Sequence, residues 1–234
     1  MGPDHVKALL MPSPYSSNHS IHDSIELCKN IGCEYEVLKI HDLIDSFDNT
    51  LETQFKDLPK DLTEENIQAR IRSILLMAVS NKFGSILLNT SNKSEKAVGY
   101  GTLYGDLSGG LSILGDVYKT DVYKLADQVN KNNEVIPNHI IIKEPSAELR
   151  HDQKDSDSLP DYHVLDPILY LYIEENKSAP EIVELGHDPQ IVKIILTMVN
   201  NSEYKRFQTA PILRVSKKAF GMGRRMPIVG KFLS

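Results

Sequence analysis

A strand buried in a parallel sheet is apolar on both faces, and residues 6–11 (VKALLM) have that character, broken by one lysine and stopped by Pro12-Ser13-Pro14. Ser17 or Asn18 can cap a following helix whose apolar positions Ile21, Ile25, Leu27 and Cys28 have helical spacing, and Gly32 closes it. Residues 35–40 (YEVLKI) then alternate in the manner of a second strand. Strand, helix and strand at this spacing make one βαβ unit, which predicts a parallel sheet with right-handed crossovers. A buried strand so close to the start of the chain carries the expectation that something has been cut away ahead of it.

Further along, residues 42–58 are mostly polar with a weak helical stripe of Leu43, Ile44, Phe47 and Leu51. A long helix is expected over residues 64–81, its stripe of Ile67, Ile71, Ile74, Leu75, Ala78 and Val79 packing on the sheet. Asn66 and Arg70 share a face near its N-terminal end. Gly84 introduces a third strand at residues 86–88, which ends abruptly in Asn89, Thr90, Ser91 and Asn92. Polar loops at the carboxyl ends of strands are where open α/β sheets place ligands. Lys93, Ser94 and Glu95 come next, then a glycine-rich loop over residues 99–115, and then the pair Asp116 and Lys119. Glycine allows close approach of backbone to a ligand, and a carboxylate beside a lysine can hold a metal-bound polyphosphate. The same residues also fit a flexible surface loop before an amphipathic helix.

The remainder reads as a helix over residues 120–130, a short extended stretch over 137–142, the segment KEPSAEL, and a mobile loop over 151–161 that lacks apolar periodicity. Helices fit residues 162–175, 179–185 and 189–200, which together suggest a helical subdomain. Residues 203–234 carry Lys205, Arg206, Arg214, Lys217, Lys218, Arg224, Arg225 and Lys231, a basic end suited either to an anionic ligand or to plain solvation. The domain organisation expected is an incomplete nucleotide-binding α/β part over residues 1–150, with a helical C-terminal subdomain and basic tail of the same domain over 151–234.

Charge and composition exclude more than they assign. A formal charge of -6 and a pI near 5.8 argue against sequence-independent nucleic-acid binding, which rests on a basic surface. No apolar run approaches the roughly 20 residues that span a bilayer. The opening MGPDHVKALLMP lacks the basic flank, long apolar core and cleavage site of a secretion signal. Cys28 and Cys33 make no metal-ligand pattern, so reduced thiols in a cytoplasm are expected.

The run LNTSNKSEKAVGYGTLYGDLSGG, continuing to DVYKTDVYKLA, closely resembles the synthetase domain of NAD synthetases of the glutamine-dependent branch. LLMPSPYSSNHSIHDS, ENIQARIRS, KEPSAEL, EYKRFQTAPILRVSKKAFG and GRRMPI agree in the same order. The resemblance implies an adenine-nucleotide alpha hydrolase-like fold of PP-loop ATPase type: an open, mainly parallel sheet with helices on both faces, here with its first strand missing and a helical C-terminal part. It implies a ligase that adenylates deamido-NAD with ATP and magnesium, after which ammonia displaces AMP to give NAD. Carried over by position, Thr90, Lys119, Ser146 and Met11 would bind ATP. Asn66, Arg70, Glu95, Tyr204 and Lys205 would bind deamido-NAD, and Glu95 would also hold magnesium. No protein nucleophile is implied. Homo-oligomers are expected, since family members are dimers or larger.

The departures are specific. The chain has no Ser-Gly-Gly-x-Asp-Ser phosphate loop and no glutamine-hydrolysing domain. Leu103 stands where ammonia-dependent relatives tend to carry lysine, which favours the glutamine-dependent branch. A first strand, phosphate loop and helix of about 30 residues are therefore expected to be missing, with an open sheet edge and poor stability as consequences. The alternative expectation is a catalytically disabled nucleotide-binding or regulatory paralogue.

Overall fold

β1 (Lys7–Leu10) and β2 (Glu34–Val37) pair in parallel around α1 (Asn18–Ile31), with Lys7 opposite Glu34 and Leu10 opposite Val37. The ends of α1 lie where its sequence places them. Ser17 Oγ accepts from Ser20 N at 3.1 Å, and Gly32 adopts the left-handed conformation with φ 72°. The computed structural model describes residues 2–228, so Lys231 of the basic end lies outside the described residues.

After β2 come α2 (His41–Leu51), the long α3 (Leu62–Phe83), β3 (Leu88–Asn89), α4 (Lys93–Val98), β4 (Leu111–Ser112), α5 (Lys119–Val129) and α6 (Asn138–Ile142). α7 (Tyr162–Ile173), α8 (Ala179–Glu184), α9 (Pro189–Asn201) and α10 (Glu203–Arg206) follow. β3 and β4 form a second parallel pair, Leu88 opposite Leu111 and Asn89 opposite Ser112. The chain divides into two compact units, Met1–Leu76 with Tyr123–Ser158, and Met77–Val122 with Leu159–Ser234.

In the first unit the parallel ladder stands beside a small interior of Cys28, Cys33, Ile40, Ala69 and Ile71. Both cysteines are free, and burial pushes the Cys28 thiol up to about 11, with Cys33 adding to the effect. In the second unit the expected helical cluster is present. Leu165, Ile168, Leu169 and Ile173 of α7 pack with Ile182 of α8 and with Val192, Ile195, Leu196 and Val199 of α9, all shielded from solvent. Each such side chain contributes about 1.5–3 kcal/mol by leaving water. Ala97 and Val98 of α4 and Phe220 of the C-terminal segment join that core.

Four local expectations are corrected. The third strand is displaced to Leu88–Asn89, and Ile86 is 55% exposed. Residues 138–142 are helical, not extended, because Pro137 serves as the N-cap residue of α6. Residues 151–161 are pinned in place: Asp155 is buried, its N–H donates to Pro145 O at 2.9 Å, and Arg150 pairs with Asp157 at 2.6 Å. The inward face of α3 is Gln68, Ala69, Ile71 and Ser73, whereas Ile74 is 59% exposed. α3 carries apolar residues around its circumference, so spacing alone could not select the inward side.

Gly99, the left-handed C-cap of α4 (φ 72°), is the tightest backbone position in the second unit. A Cβ there would sit 2.3 Å from Ser202 Oγ, which is held by bonds to Val98 O and Met198 O. Gly99→Ala is expected to lower the unfolding free energy by about 2 kcal/mol, combining a strained φ with overpacking. Urea denaturation of the two proteins checks this, and an unchanged midpoint would show that Ser202 swings aside.

Candidate active site

β3 ends at Asn89, whose buried side chain fastens the glycine-rich loop to the strand. Its Nδ2 donates to Asp106 O (2.6 Å) and Ser108 O (3.0 Å), and its Oδ1 accepts from Ser112 Oγ (3.0 Å). Thr90 follows and is exposed. Asn92 then starts α4 with a reciprocal capping box: Asn92 Oδ1 accepts from Glu95 N at 2.9 Å, and Glu95 Oε2 accepts from Asn92 N at 3.0 Å. This bond orients the Glu95 carboxylate, whose Oε1 lies 3.7 Å from Lys119 Nζ.

Lys119 is carried to that distance by three hydrogen bonds. Asp166 of α7 accepts from Ser94 Oγ (2.5 Å) and Thr120 N (2.9 Å), and Ser94 Oγ accepts from Lys119 N (2.9 Å). The first N–H groups of α5 are thereby satisfied, and the start of α5 is set beside α4. Burial pushes the Asp166 carboxyl above its ordinary value, opposed by the bonds from Ser94 and Thr120. The Lys119 ammonium also lies 5.5 Å from the Tyr162 ring centroid.

Lys205 closes the other end of α4. Its Nζ donates to Gly99 O (2.7 Å) and Gly101 O (2.9 Å), and burial lowers its ammonium against the opposing charge of Asp106. The Asp106 carboxyl is raised by burial, against the Thr102 bonds and the Lys205 charge. Tyr204, adjacent in sequence, is 43% exposed. Lys96 is almost wholly buried, and its Nζ has no hydrogen-bond partner among the described residues. Burial pushes its ammonium down to about 8 against Glu95 and Asp106.

Lys93 sits one residue from Ser94 and is fully buried. Its Nζ donates to Asp116 Oδ1 (2.7 Å), Ser216 Oγ (2.8 Å), Lys218 O (2.9 Å) and Glu174 Oε1. Asp116 Oδ2 accepts from Val215 N (2.8 Å) and Ser216 N (2.6 Å). Burial alone would raise the Asp116 carboxyl; the Lys93 bond and those two N–H groups outweigh it and hold it below the ordinary range. The expected pairing of Asp116 with Lys119 is therefore corrected. Asp116 is committed to a buried structural cluster, and Glu95 is the carboxylate beside Lys119. A cavity of about 380 Å³ adjoins the cluster, lined in part by Asp116, Tyr118, Tyr170, Glu174, Ser216 and Lys217; none of the residues that the family resemblance assigns to ATP or deamido-NAD lines it.

The second unit thus brings Glu95 and Lys119 together at the end of β3, with Thr90 preceding α4 and Lys205 at its far end. Met11, Asn66, Arg70 and Ser146 belong to the first unit. There Met11 O accepts from Arg72 Nε at 3.0 Å, and Asn66 and Arg70 are half-buried on α3. Ser146 Oγ accepts from Glu148 N at 3.1 Å. Sequence reading gave Ser94 no role of its own and missed Asp106 and Asp166. The first two lie inside the conspicuous run, and Asp166 is a lone carboxylate in an apolar helix, a signal in itself. Glu95 Oε2 is taken by the Asn92 cap and its Oε1 faces the Lys119 ammonium at 3.7 Å; a single carboxylate is the kind of protein ligand that magnesium takes together with substrate phosphates.

A family model described as NAD synthase matches residues 1–209. The glutamine-dependent NAD(+) synthetase of Synechocystis sp. is 48% identical over 232 residues, covering 99% of this chain and 42% of that protein. That of Acinetobacter baylyi is 49% identical over 231 residues, covering 98% of this chain and 43% of that protein. The solved glutamine-dependent NAD+ synthetase of Acinetobacter baumannii, in complex with adenosine diphosphate, superposes with a TM-score of 0.59 at 43% identity, over 95% of this chain and 40% of that one. The α/β fold with parallel strands is of the PP-loop ATPase type, as expected from the sequence. Among the described residues no helix is long and apolar enough to cross a membrane.

Proposed function

We propose, because this chain belongs to the NAD synthase family, that it performs the synthetase half-reactions of ATP-dependent deamido-NAD amidation. The nicotinate carboxylate of deamido-NAD attacks the α-phosphorus of ATP and pyrophosphate leaves. Ammonia, derived from glutamine hydrolysis in the full-length enzyme, then attacks the acyl carbon, and AMP leaves to give NAD. The chain spans 42% and 43% of the two curated relatives described above, so this is a proposal for its share of their reaction.

The observation that carries the reading is the Glu95–Lys119 pair at 3.7 Å, set by the Asn92 cap on one side and by Ser94 and Asp166 on the other. Glu95 would hold magnesium, which when bound would supply neutralisation of phosphate charge. Lys119, Thr90, Ser146 and Met11 bind ATP, and the lysine stabilises charge on the departing pyrophosphate. Asn66, Arg70, Glu95, Tyr204 and Lys205 bind deamido-NAD. Catalysis then consists mainly in holding two mutually repelling anions in line, with ammonia as nucleophile and no covalent protein step. We place the enzyme in the cytoplasm as a homo-oligomer.

The test is binding of deamido-NAD and magnesium-ATP to the purified chain, with NAD and AMP formation under excess ammonium followed by chromatography. Glu95→Ala is expected to weaken binding at least about 10-fold and to cut any turnover about 100-fold. Glu95→Gln can still accept from Asn92 N, so it separates loss of charge from loss of the cap. Unchanged binding in both variants would remove Glu95 from the site.

A further inference from the structure

The cavity beside the Lys93 cluster lies wholly within the second unit. Its wall of about 380 Å³ comes from three places in the chain: Asp116, Tyr118 and Asp121 around the start of α5, Tyr170 and Glu174 around the end of α7, and Lys217 of the C-terminal segment. Tyr118 is 8% exposed, and its hydroxyl is buried without a hydrogen-bond partner among the described residues. Burial, followed by the charges of Glu174, Asp166 and Asp116, raises that hydroxyl above its ordinary value, so it keeps its proton. A buried hydroxyl left without a partner is unfavourable, and a ligand in the cavity that bonds to it removes the deficit.

Charge and size then select the ligand. Asp116, Asp121 and Glu174 bring three carboxylates to the wall. Lys217 brings one ammonium, and Lys93 supplies a second through its bonds to Asp116 and Glu174, which leaves one negative charge. Such a wall repels phosphates and attracts a single cation. A bare ammonium ion, about the size of a water molecule, would take up only about 30 Å³ of the space. The rings of Tyr118 and Tyr170 offer the rest as aromatic surface, on which an organic cation gains apolar burial together with cation–π attraction. Tyr118 already has one ammonium, that of Lys93, 5.1 Å from its ring centroid. Tyr170 is steadied by its hydroxyl, which donates to Glu175 Oε1 at 3.2 Å.

We propose that this cavity binds a small organic cation, a primary ammonium on a short apolar chain, apart from the residues of the synthetase reaction. The ammonium donates to the Tyr118 hydroxyl oxygen and to the carboxylates of Asp121 and Glu174, and the apolar chain lies against the two tyrosine rings. The occupant joins the start of α5 to the end of α7 and to the C-terminal segment, three parts of the chain that otherwise meet through Asp116, Lys93 and Glu174.

The experiment is a ligand-observed nuclear magnetic resonance titration of the purified chain with n-butylammonium chloride, alongside n-butanol and ammonium chloride at the same ionic strength. Saturable binding of butylammonium in about the millimolar range is expected, at least about 10-fold tighter than that of butanol or ammonium. Tyr118→Phe should weaken it about 10-fold. That variant removes only a hydroxyl without a partner and keeps the ring, so the fold is retained, which circular dichroism verifies. Asp121→Asn should weaken binding about 5-fold, and Glu95→Ala should leave it unchanged. Absence of saturable binding, or unchanged affinity in either cavity variant, would overturn the proposal. Butanol binding as tightly as butylammonium would overturn the role of charge, and ammonium binding as tightly would give the cavity to the bare ion. Loss of butylammonium with Glu95→Ala would move it to the nucleotide residues and equally overturn the proposal.

Discussion

Lys93→Met is expected to reduce the unfolding free energy by about 3–5 kcal/mol, the usual cost of removing one partner from a buried charge cluster. The Lys93 side chain is 0% exposed, as is that of Asp116, and that of Glu174 is 3% exposed. Methionine fills much the same volume, so packing is nearly conserved while two carboxylates lose their shared ammonium. The C-terminal segment, held here through Ser216 and Lys218 O, should loosen with it. The pH dependence has a definite sign. In the parent protein the Asp116 carboxyl is held below its unfolded value, so its contribution is present above pH about 4 and is lost as the pH falls through the lower folded value. In the variant, Asp116 without its ammonium can take up a proton, so the penalty should shrink as the pH is lowered toward about 5. Urea denaturation at both pH values measures this. A loss under about 1 kcal/mol would mean that the cluster is solvated in solution.

Arg206→Leu is expected to cost about 3 kcal/mol or more. Its guanidinium pairs with Glu203 Oε2 at 2.9 Å, two residues that are 7% and 3% exposed. It also donates to Ala97 O (2.6 Å) and Val199 O (2.5 Å), which ties the C-terminal end of α4 to that of α9, and it lies 4.9 Å from the Phe220 ring centroid. The double variant Arg206→Leu/Glu203→Leu apportions the loss. Recovery of most of the stability would assign the cost to the orphaned Glu203 carboxylate. No recovery would assign it to the unsatisfied carbonyls of α4 and α9. In either case the Glu95–Lys119 geometry should relax, because α4 carries Glu95.

Several elements were legible because their signals are local. Ser17 and Gly32 bound α1, the alternation of β2 and the apolar run of β1 call for a parallel partner, and α7, α8 and α9 show their buried faces at helical spacing. α4 was not legible as a helix. Lys93-Ser94-Glu95-Lys96 reads as a polar loop, and only its tertiary partners make a six-residue helix with both lysines buried worthwhile. α6 went the other way, since its three consecutive isoleucines suit a strand until Pro137 and the chain's return toward α1 favour a helical turn.

For the site, residue types and order were determined by the sequence alone: the run around Thr90 and Glu95, the lysine at 119, the basic end containing Lys205, and membership of the NAD synthase family. Tertiary structure decided which charges meet. Asp116 and Lys119 are near in sequence, yet Asp116 turns to Lys93 at 2.7 Å while Lys119 meets Glu95, because Asp166 and Ser94 set the start of α5. Spacing along a chain reports neighbours on one helix or strand; a charge pair between elements depends on burial and on the few hydrogen bonds that aim each side chain, and these exist only once the elements have packed.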